Sequence, residues 1–462
     1  MNVSAEANAA RAAQYQRILE RDSLLSRCFL PAVPDSGAQA PALCGVMSPA
    51  LCEFVRWIIV TALHRGKKRL YFLARDGYFP FLAARIFCDR FDISLDCRYL
   101  SVSRAALRRP LIHLDHRQAL EWIASGGIGI TPERMLLRAG LQENECRSVF
   151  RELGLSLGLQ EKLTRNGIHT IQRALSGCKM FWETADAHSR MLLPALTGYL
   201  RQEGLAEGRD DLLIDCGWVG SIQQALNTVC GLIGRKKRLE GCYFGLYELP
   251  AHLSSADYHT YFFAPHGPLK HKVYFNNNLF EAIFTAPHGM TTGYDETEHI
   301  FHPIYEDLPE RRRKAVLQTQ QLLIPGVHRC ADRMGGGRFF SAPFDPARRT
   351  LSALFREMMN RPSKEEAEAF GSIPFSDDIL GEEGMELAPV LNRKELRTQL
   401  LLPRMISEAR GNGTGPPSPW YEGSAVRSLS RPFPFLLQYA AGQALRHQIK
   451  GWKKNPPPDS VP

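Results

Sequence analysis

Two short segments of the sequence place an acidic residue and glycine directly after an apolar run. In the first segment, Arg75 and Asp76 precede Gly77. In the second, Asp215 opens residues 215–221, which also contain two glycines and a serine. Glycine lets backbone N–H groups approach an anion, arginine pairs with phosphate, and carboxylates bind Mg²⁺ or sugar hydroxyls. The two segments together predict a site for a phosphorylated ligand, with Mg²⁺ held by Asp76 and Asp215.

Acidic side chains are the candidates for catalysis at this site. Asp76 and Asp215 are expected to act together with Glu281, which stands alone as an acid in the apolar and aromatic residues 279–284. A carboxyl in such surroundings needs a partner or a chemical function. The expected ligand contacts come from both segments, from the residues after the next apolar run and from a histidine: Arg75, Gly77, Ser103, Arg104, Gly217, Trp218, Gly220, Ser221, Gln223 and His288.

Three of these residues also have a purely structural interpretation. Asp76 could cap the helix that follows it, since aspartate is a favoured N-cap residue. Trp218 could be a buried anchor instead of a face on which a base or a sugar stacks. His288 lies in a Pro-His-Gly turn, where a structural role is the more common one.

The two acidic segments need strands that end side by side. Apolar runs at 69–74, 97–102, 211–216 and 239–246 predict four strands of one open, mostly parallel sheet. A helical pattern between the first two runs predicts a right-handed strand–helix–strand unit. The expected fold class is α/β, similar to a Rossmann or a phosphoribosyltransferase fold. Ligands bind at the carboxyl ends of the strands in such sheets, and both acidic segments fall there.

Changes in composition and periodicity divide the chain into four parts. Residues 1–46 are a helical lead-in and linker, and residues 47–305 are the α/β core, with an α-helical insertion at about 111–205. Residues 306–411 are expected to form a helical C-terminal region, followed by a proline-rich basic tail at 412–462.

The composition narrows the class of protein. With 462 residues, of which 44% are hydrophobic and 23% charged, the chain is neither disordered nor fibrous. The net charge of +9 favours anionic partners, and nucleic acid is not expected because no nucleic-acid-binding motif accompanies the charge. Scattered cysteines, the lack of a signal-like N-terminus and the lack of an apolar run of about 18 residues predict a cytoplasmic protein.

The tail also contains a basic amphipathic pattern. Residues 435–454 are predicted to form a helix that contacts a membrane surface peripherally. Its expected apolar contacts are Phe435, Leu436, Tyr439, Ile449 and Trp452. Its expected contacts with anionic headgroups are Arg446, Lys450, Lys453 and Lys454.

Four motifs resemble a bacterial domain of capsule and exopolysaccharide gene clusters, which is often fused behind a haloacid-dehalogenase-like (HAD-like) hydrolase domain. They are Arg69-Leu-Tyr-Phe-Leu-Ala-Arg-Asp-Gly-Tyr78, Arg98-Tyr-Leu-Ser-Val-Ser-Arg-Ala105, Ile214-Asp-Cys-Gly-Trp-Val-Gly-Ser-Ile-Gln223 and Leu279-Phe-Glu-Ala-Ile-Phe284, the last with Pro287-His-Gly289. The resemblance covers roughly residues 48–375. It implies a protein of surface-polysaccharide biosynthesis that binds a phosphorylated sugar or a nucleotide sugar.

The motifs leave three functions open. A transferase is one, because the turn 75–77 resembles the Arg-Gly-Gly-like turn of phosphoribosyltransferases, although Cys216 stands where their second loop has another acid. A HAD-like phosphohydrolase is the next, but it needs two aspartates spaced Asp-x-Asp. Ala74 stands where the first aspartate would precede Asp76, and Gly217 stands where the second would follow Asp215. The third is a non-catalytic adaptor of a polysaccharide-synthesis complex.

Overall fold

The computed structural model describes residues 3–30, 37–125, 130–249, 254–375, 385–409 and 418–454. At its centre is a five-stranded sheet whose paired strands all run parallel, in the order β2-β1-β3-β4-β5. The strands are β1 (Arg69–Leu73), β2 (Asp96–Leu100), β3 (Asp211–Trp218), β4 (Glu240–Leu246) and β5 (Tyr258–Phe263). The predicted α/β class with an open parallel sheet is confirmed, and the first four strands are the four apolar runs.

The central strands are buried on both faces, which explains why they read as continuous apolar runs. Leu70, Phe72 and Ile214 point to one face of the sheet. Tyr71 and Leu213 point to the other face and belong to a separate apolar cluster. Each face therefore needs its own layer of helices.

Helices that precede the first strand or connect consecutive strands form much of the helical layer on each face of the sheet. They are α1 (Val3–Leu19), α2 (Ser23–Phe29), α3 (Ala40–Ala42), α4 (Ser48–His64), α5 (Tyr78–Phe91) and α12 (Ser221–Leu232). The helix α5 joins β1 to β2 and packs with α4 on one face, whereas α12 joins β3 to β4 and packs on the other. The helical stretch that runs through α3 and α4 (Ala40–His64) has the length and composition to cross a membrane, and 94% of its most apolar window is buried inside the protein.

A block of helices lies between β2 and β3, as the sequence predicts. Its members are α6 (Arg104–Arg108), α7 (His116–Ile123), α8 (Pro132–Arg138), α9 (Glu143–Leu153), α10 (Arg165–Ser176) and α11 (Lys179–Gln202). Most of them enclose a small apolar core of their own around Trp122 and Phe181. The end of α11 also packs against the sheet through Leu196, Tyr199 and Leu200.

The described chain after β5 is mainly helical and contains two antiparallel strand pairs. They are β6 (Thr291–Thr297) with β7 (Ile300–Tyr305), which form a hairpin, and β8 (Pro374–Phe375) with β9 (Met385–Glu386). The helices are α13 (Leu269–Val273), α14 (Asn277–Ile283), α15 (Glu310–Met334), α16 (Gly336–Ser341), α17 (Phe344–Phe355), α18 (Lys364–Gly371), α19 (Arg393–Thr398), α20 (Leu401–Ala409), α21 (Tyr421–Ser428) and α22 (Phe433–Lys454).

The helix α1 and residues 418–428 pack on the main core. In α1, Arg11 pairs with Glu366 at 2.8 Å and Tyr15 donates a hydrogen bond to the same carboxylate at 2.6 Å. In the later segment, Trp420 is fully buried in the largest apolar cluster and donates to the Met359 carbonyl at 2.7 Å. These contacts cross the boundaries predicted at residues 46 and 412, and the division of the chain into four parts stays a prediction.

Candidate functional site

The two acidic segments meet at the point where the strand order reverses. From β1 the chain moves outward to β2 and then returns past β1 to β3, so the adjacent carboxyl ends of β1 and β3 lead in opposite directions and leave a crevice. Phe72 pairs in register with Ile214, which places Asp215 level with the end of β1. The Cys216 thiol donates to the Asp76 carbonyl at 3.6 Å. The peptide bond from Ala74 to Arg75 is cis.

Asp76 does not have the structural role considered for it. The N-cap of α5 is Gly77, and no side chain caps this helix. The Asp76 carboxyl makes no hydrogen bond or ion pair with any side chain in the described part of the chain, although it is half-buried. A carboxyl held in this state is available to a ligand.

Three carboxyls share the crevice with one guanidinium. We call this group, Arg75, Asp76, Asp215 and Glu281, the carboxylate crevice. Burial raises the pKa of Asp76 well above its usual range, and repulsion from Glu281 and Asp215 raises it further. Burial also raises the pKa of Asp215 to about 7, with a contribution from Glu281, although backbone N–H groups of Gly217 and Cys216 stabilise its charged form. Asp76 therefore keeps its proton where an ordinary aspartate has lost it, and Asp215 titrates near neutral pH.

Arg75 forms the cationic side of the crevice. Arg75 is half-buried, and its guanidinium makes no hydrogen bond or ion pair within the residues that the structure describes. Burial and repulsion from Arg312 lower its pKa, and the charges of Asp76, Glu306 and Glu281 only partly offset this. The exposed Arg104 lies close enough to stabilise the charged forms of Asp76 and Asp215. A phosphate would supply the countercharge and hydrogen-bond acceptors that Arg75 lacks.

Trp218 positions Glu281 and is not a stacking surface. Its indole N–H donates a hydrogen bond to the Glu281 carboxylate on α14. The ring is buried and packs against Phe263, Phe275 and Phe280. The buried-anchor interpretation is the one that the structure supports, and the predicted ligand contact through the face of Trp218 is corrected.

We expect Trp218→Phe to weaken ligand binding at the crevice about five- to tenfold while changing the stability only slightly. Phenylalanine keeps the aromatic packing but removes the hydrogen bond to a charged group. Ligand titration and urea unfolding of the variant measure the two effects. Trp182→Phe is the matched control, because the Trp182 indole donates to the Ser176 carbonyl in the helical insertion. Equal binding by Trp218→Phe and the wild type would contradict the positioning role.

The glycines of both segments are required by the backbone itself. A Cβ at Gly77 would lie 2.5 Å from the Leu73 carbonyl oxygen. At Gly217, where φ is 134°, it would lie 2.0 Å from the Gly245 carbonyl oxygen on β4. Gly220 has a φ of 72°, and its Cβ would meet the Tyr258 ring at 2.6 Å. Larger residues here would disturb the fold as well as any ligand.

Two of the predicted ligand contacts, Gln223 and Ser103, make hydrogen bonds within the protein. The Gln223 amide is fully buried, donates to the carbonyls of Leu239 and Asp257, and accepts from the Tyr243 hydroxyl. The Ser103 hydroxyl caps α6 by accepting the Ala106 N–H and donates to the Thr291 carbonyl. Both side chains are buried and hydrogen-bonded within the protein, and ligand contacts through them stay predictions. Ser221, the first residue of α12, is half-buried, and its hydroxyl is without a partner in the described chain.

An aromatic wall flanks the crevice on the β2 side, and sequence reasoning found only His288 in it. The His288 Nδ1–H donates to the Gly289 carbonyl at 2.8 Å, so Nε2 accepts from the Tyr99 hydroxyl at 2.9 Å. Tyr305 packs on the imidazole with ring centroids 4.3 Å apart. Burial and the nearby Arg75 lower the pKa of His288, and the Asp76 carboxyl helps to raise the pKa of Tyr99. Tyr99 stands near the carboxyl end of β2, and this position in the sequence could have identified it as part of the site.

The metal prediction gains no geometric support. Across the described ranges, no group of three or more His, Cys, Asp or Glu side chains is placed to hold a metal ion. Mg²⁺ at Asp76 and Asp215 stays a prediction. Two surface cavities, of about 400 Å³ beside β5 and about 660 Å³ between α11 and the β6–β7 hairpin, lie away from the carboxylate crevice. Models of known protein families give no match to this chain, and no curated protein matches it either.

Proposed function

We propose that the carboxylate crevice binds a phosphorylated sugar or a nucleotide sugar and transfers a group from it. The observation that carries the proposal is the half-buried Arg75, which is without a partner in the described chain and lies beside acids with raised pKa values. Burying a cation without a partner costs free energy unless a ligand pairs with it. An anionic group on the ligand would be such a partner for the Arg75 guanidinium.

The acids favour a ligand that also carries hydroxyl groups. Carboxylates close to a phosphate repel it unless a proton, a cation or a hydrogen-bond donor lies between them. The proton that Asp76 keeps removes part of this repulsion. Vicinal sugar hydroxyls donate to carboxylates, and this accounts for Asp215 and Glu281 on the other side of the same crevice.

The two aspartates fit the two halves of acid–base catalysis. Asp215, with a pKa of about 7, can take the proton from an acceptor hydroxyl at neutral pH. The acceptor oxygen then bonds to the sugar carbon as the bond from that carbon to the phosphate oxygen breaks. The electron pair leaves with the phosphate, which Arg75 stabilises, while the protonated Asp76 donates a hydrogen bond to it. If Mg²⁺ binds, Asp76 and Asp215 would hold it in their ionised forms, and it would then neutralise charge on the phosphate in place of the Asp76 proton.

The biological setting rests on the resemblance. The motifs around Arg75, Tyr99, Asp215 and Glu281 are those shared with the capsule-cluster domain, and they supply most of the crevice. They support a cytoplasmic role in bacterial surface-polysaccharide biosynthesis. A phosphohydrolase with water as acceptor is the alternative reaction, and a non-catalytic adaptor would use the same ligand site without turnover.

Arg75→Ala is expected to weaken binding about ten- to hundredfold, because it removes a charge-assisted contact from a half-buried site. Calorimetric titration is run on the wild type and the variant, after thermal-shift screening of sugar phosphates and nucleotide sugars with and without Mg²⁺. Arg117→Ala is the matched control, since Arg117 is 92% exposed on α7. Full affinity in Arg75→Ala, or no stabilisation by any ligand of either class, would contradict the proposed function.

Incubation with an acceptor then separates the three activities. A transferase forms a glycoside of the acceptor, and a phosphohydrolase releases inorganic phosphate without one. An adaptor keeps the ligand intact.

A further inference from the structure

The helix α22 is anchored to the protein along one side. Phe435 lies buried in a cluster with Leu396, Leu400 and Tyr421. Tyr439 stacks on Tyr421 with ring centroids 4.1 Å apart. About two turns before the end of the helix, His447 stacks on Tyr247 with ring centroids 5.6 Å apart. The orientation of the helix is therefore set by packing over most of its length.

The opposite side of α22 is exposed and uncharged. The exposed fractions of Phe433, Leu437, Leu445 and Ile449 are 63%, 62%, 48% and 40%. These positions differ by multiples of four, and each step of four advances about 40° around the axis. They therefore form a stripe that winds over about 160° of the helix surface, with Leu437 and Leu445 at its centre. We call this stripe the α22 face. The other exposed residues among 433–449 are Pro434, Gln438, Ala441 and Gln448.

A solvent-exposed helix face is ordinarily polar or charged, and an apolar stripe on it indicates a surface that is covered by a partner. The charges on and beside the helix indicate which partner. From Arg427 to Lys454 every charged residue is basic, and the basic residues stand near both ends of the stripe: Arg431, Arg446, Lys450, Lys453 and Lys454. A second copy of α22 would bring like charges together in either orientation, whereas an anionic surface complements them.

We propose that the α22 face docks on an anionic membrane surface, with the helix axis parallel to the membrane plane. The stripe enters the boundary between headgroups and acyl chains, and the positive charge of the segment attracts the anionic headgroups. This inference does not depend on the proposed function. It changes the predicted contacts, because Phe435, Leu436 and Tyr439 pack inward and Ile449 alone of the described ones is exposed. The side chain of Trp452 lies outside the described residues.

Docking would place a lipid surface close to the candidate site. Tyr247 lies between α22 and the carboxylate crevice, since it stacks with His447 on one side and packs near Trp218 on the other, with ring centroids 6.1 Å apart. The Tyr247 hydroxyl also lies near Glu281, whose charge contributes to raising its pKa after the larger effect of burial. The helix α22 itself and one layer of aromatic side chains therefore lie between the α22 face and Glu281.

Co-sedimentation with vesicles tests the docking. The full chain is expected to bind vesicles of equimolar phosphatidylglycerol and phosphatidylcholine, to bind phosphatidylcholine alone at least about tenfold more weakly, and to be released by salt. Leu437→Gln and Leu445→Gln each keep the charge and remove apolar contact, so each should weaken binding several-fold. Met191→Gln on α11 is the matched control, because Met191 is 77% exposed on another helix.

Each other outcome overturns the proposal. Equal binding to neutral and anionic vesicles would show that the basic residues do not contribute to docking. Unchanged binding by both glutamine variants would show that the α22 face is not the docking surface. If the wild type does not bind anionic vesicles, the partner is not a membrane, and a dimer that Leu437→Gln dissociates would identify a second copy as the partner. Circular dichroism of the variants checks that the fold is retained, which the exposure of both leucines leads us to expect.

Discussion

Asp215→Asn is expected to abolish group transfer and, at the same time, to make the free protein more stable at pH 8. The loss of transfer follows from removing the general base, a change of about 100-fold or more. The gain in stability follows from the buried carboxyl, whose pKa burial raises to about 7. A residue kept for function at the expense of stability shows this combination.

The sign of the pH dependence follows from proton binding. In the unfolded chain the carboxyl loses its proton near its ordinary pKa of 3.8, whereas in the folded protein it keeps the proton to about pH 7. Between these values the unfolded chain binds fewer protons, so the free energy of unfolding falls as the pH rises and levels off above pH 7. Asparagine has no such proton to lose. Its advantage should grow from near zero at pH 4 to about 4 kcal/mol at pH 8.

Urea unfolding of the wild type and Asp215→Asn at several pH values measures the difference, in which the titration of all other groups largely cancels. Asp332→Asn is the control, because Asp332 is 70% exposed, and its small effect should be the same at each pH. A difference for Asp215→Asn that does not vary with pH would show that Asp215 is ionised throughout. Full transfer activity in Asp215→Asn would show that Asp215 is not the general base.

Trp420→Ala is expected to lower the free energy of unfolding by about 3–5 kcal/mol. The indole is fully buried in the main core, and truncation leaves a cavity and an unpaired Met359 carbonyl. Urea unfolding followed by far-ultraviolet circular dichroism measures the loss without depending on tryptophan fluorescence. Phe433→Ala is the control and should change stability by no more than about 0.5 kcal/mol, because Phe433 is 63% exposed. If Trp420→Ala unfolds at the same urea concentration as the wild type, residues 418–428 are not part of the cooperatively unfolding core.

The central sheet was predictable because its strands carry their own signal. Strands buried on both faces appear as short apolar runs, and the acid–glycine turns at their ends mark where a parallel sheet presents ligand-binding residues. The strand β5 gave a weaker signal, since its aromatic residues belong to a longer stretch of the same character. The meeting of Asp76 with Asp215 followed from the order of the strands, which the sequence suggested only through the two similar turns.

Roles that depend on distant partners were not predictable. Trp218 is an anchor because Glu281, 63 residues further on, accepts its N–H, and Gln223 is structural because Tyr243 and two carbonyls use its amide. The C-terminal helix reads as amphipathic from its own sequence, but which side faces inward depends on Tyr421 and Tyr247. Local periodicity indicates that a helix has two sides and does not indicate which of them is covered.

The pairing of Arg11 and Tyr15 with Glu366 has a consequence for synthesis of the chain. The arginine and its acceptor are separated by 355 residues, which take roughly 20–70 s to translate at about 5–20 residues per second. Throughout that interval the emerging α1 helix has no native partner at this contact, and the apolar side of the growing sheet stays partly uncovered. This contact therefore forms only after most of the chain has been synthesised, and until then the apolar surface of the nascent chain is exposed to association with other chains.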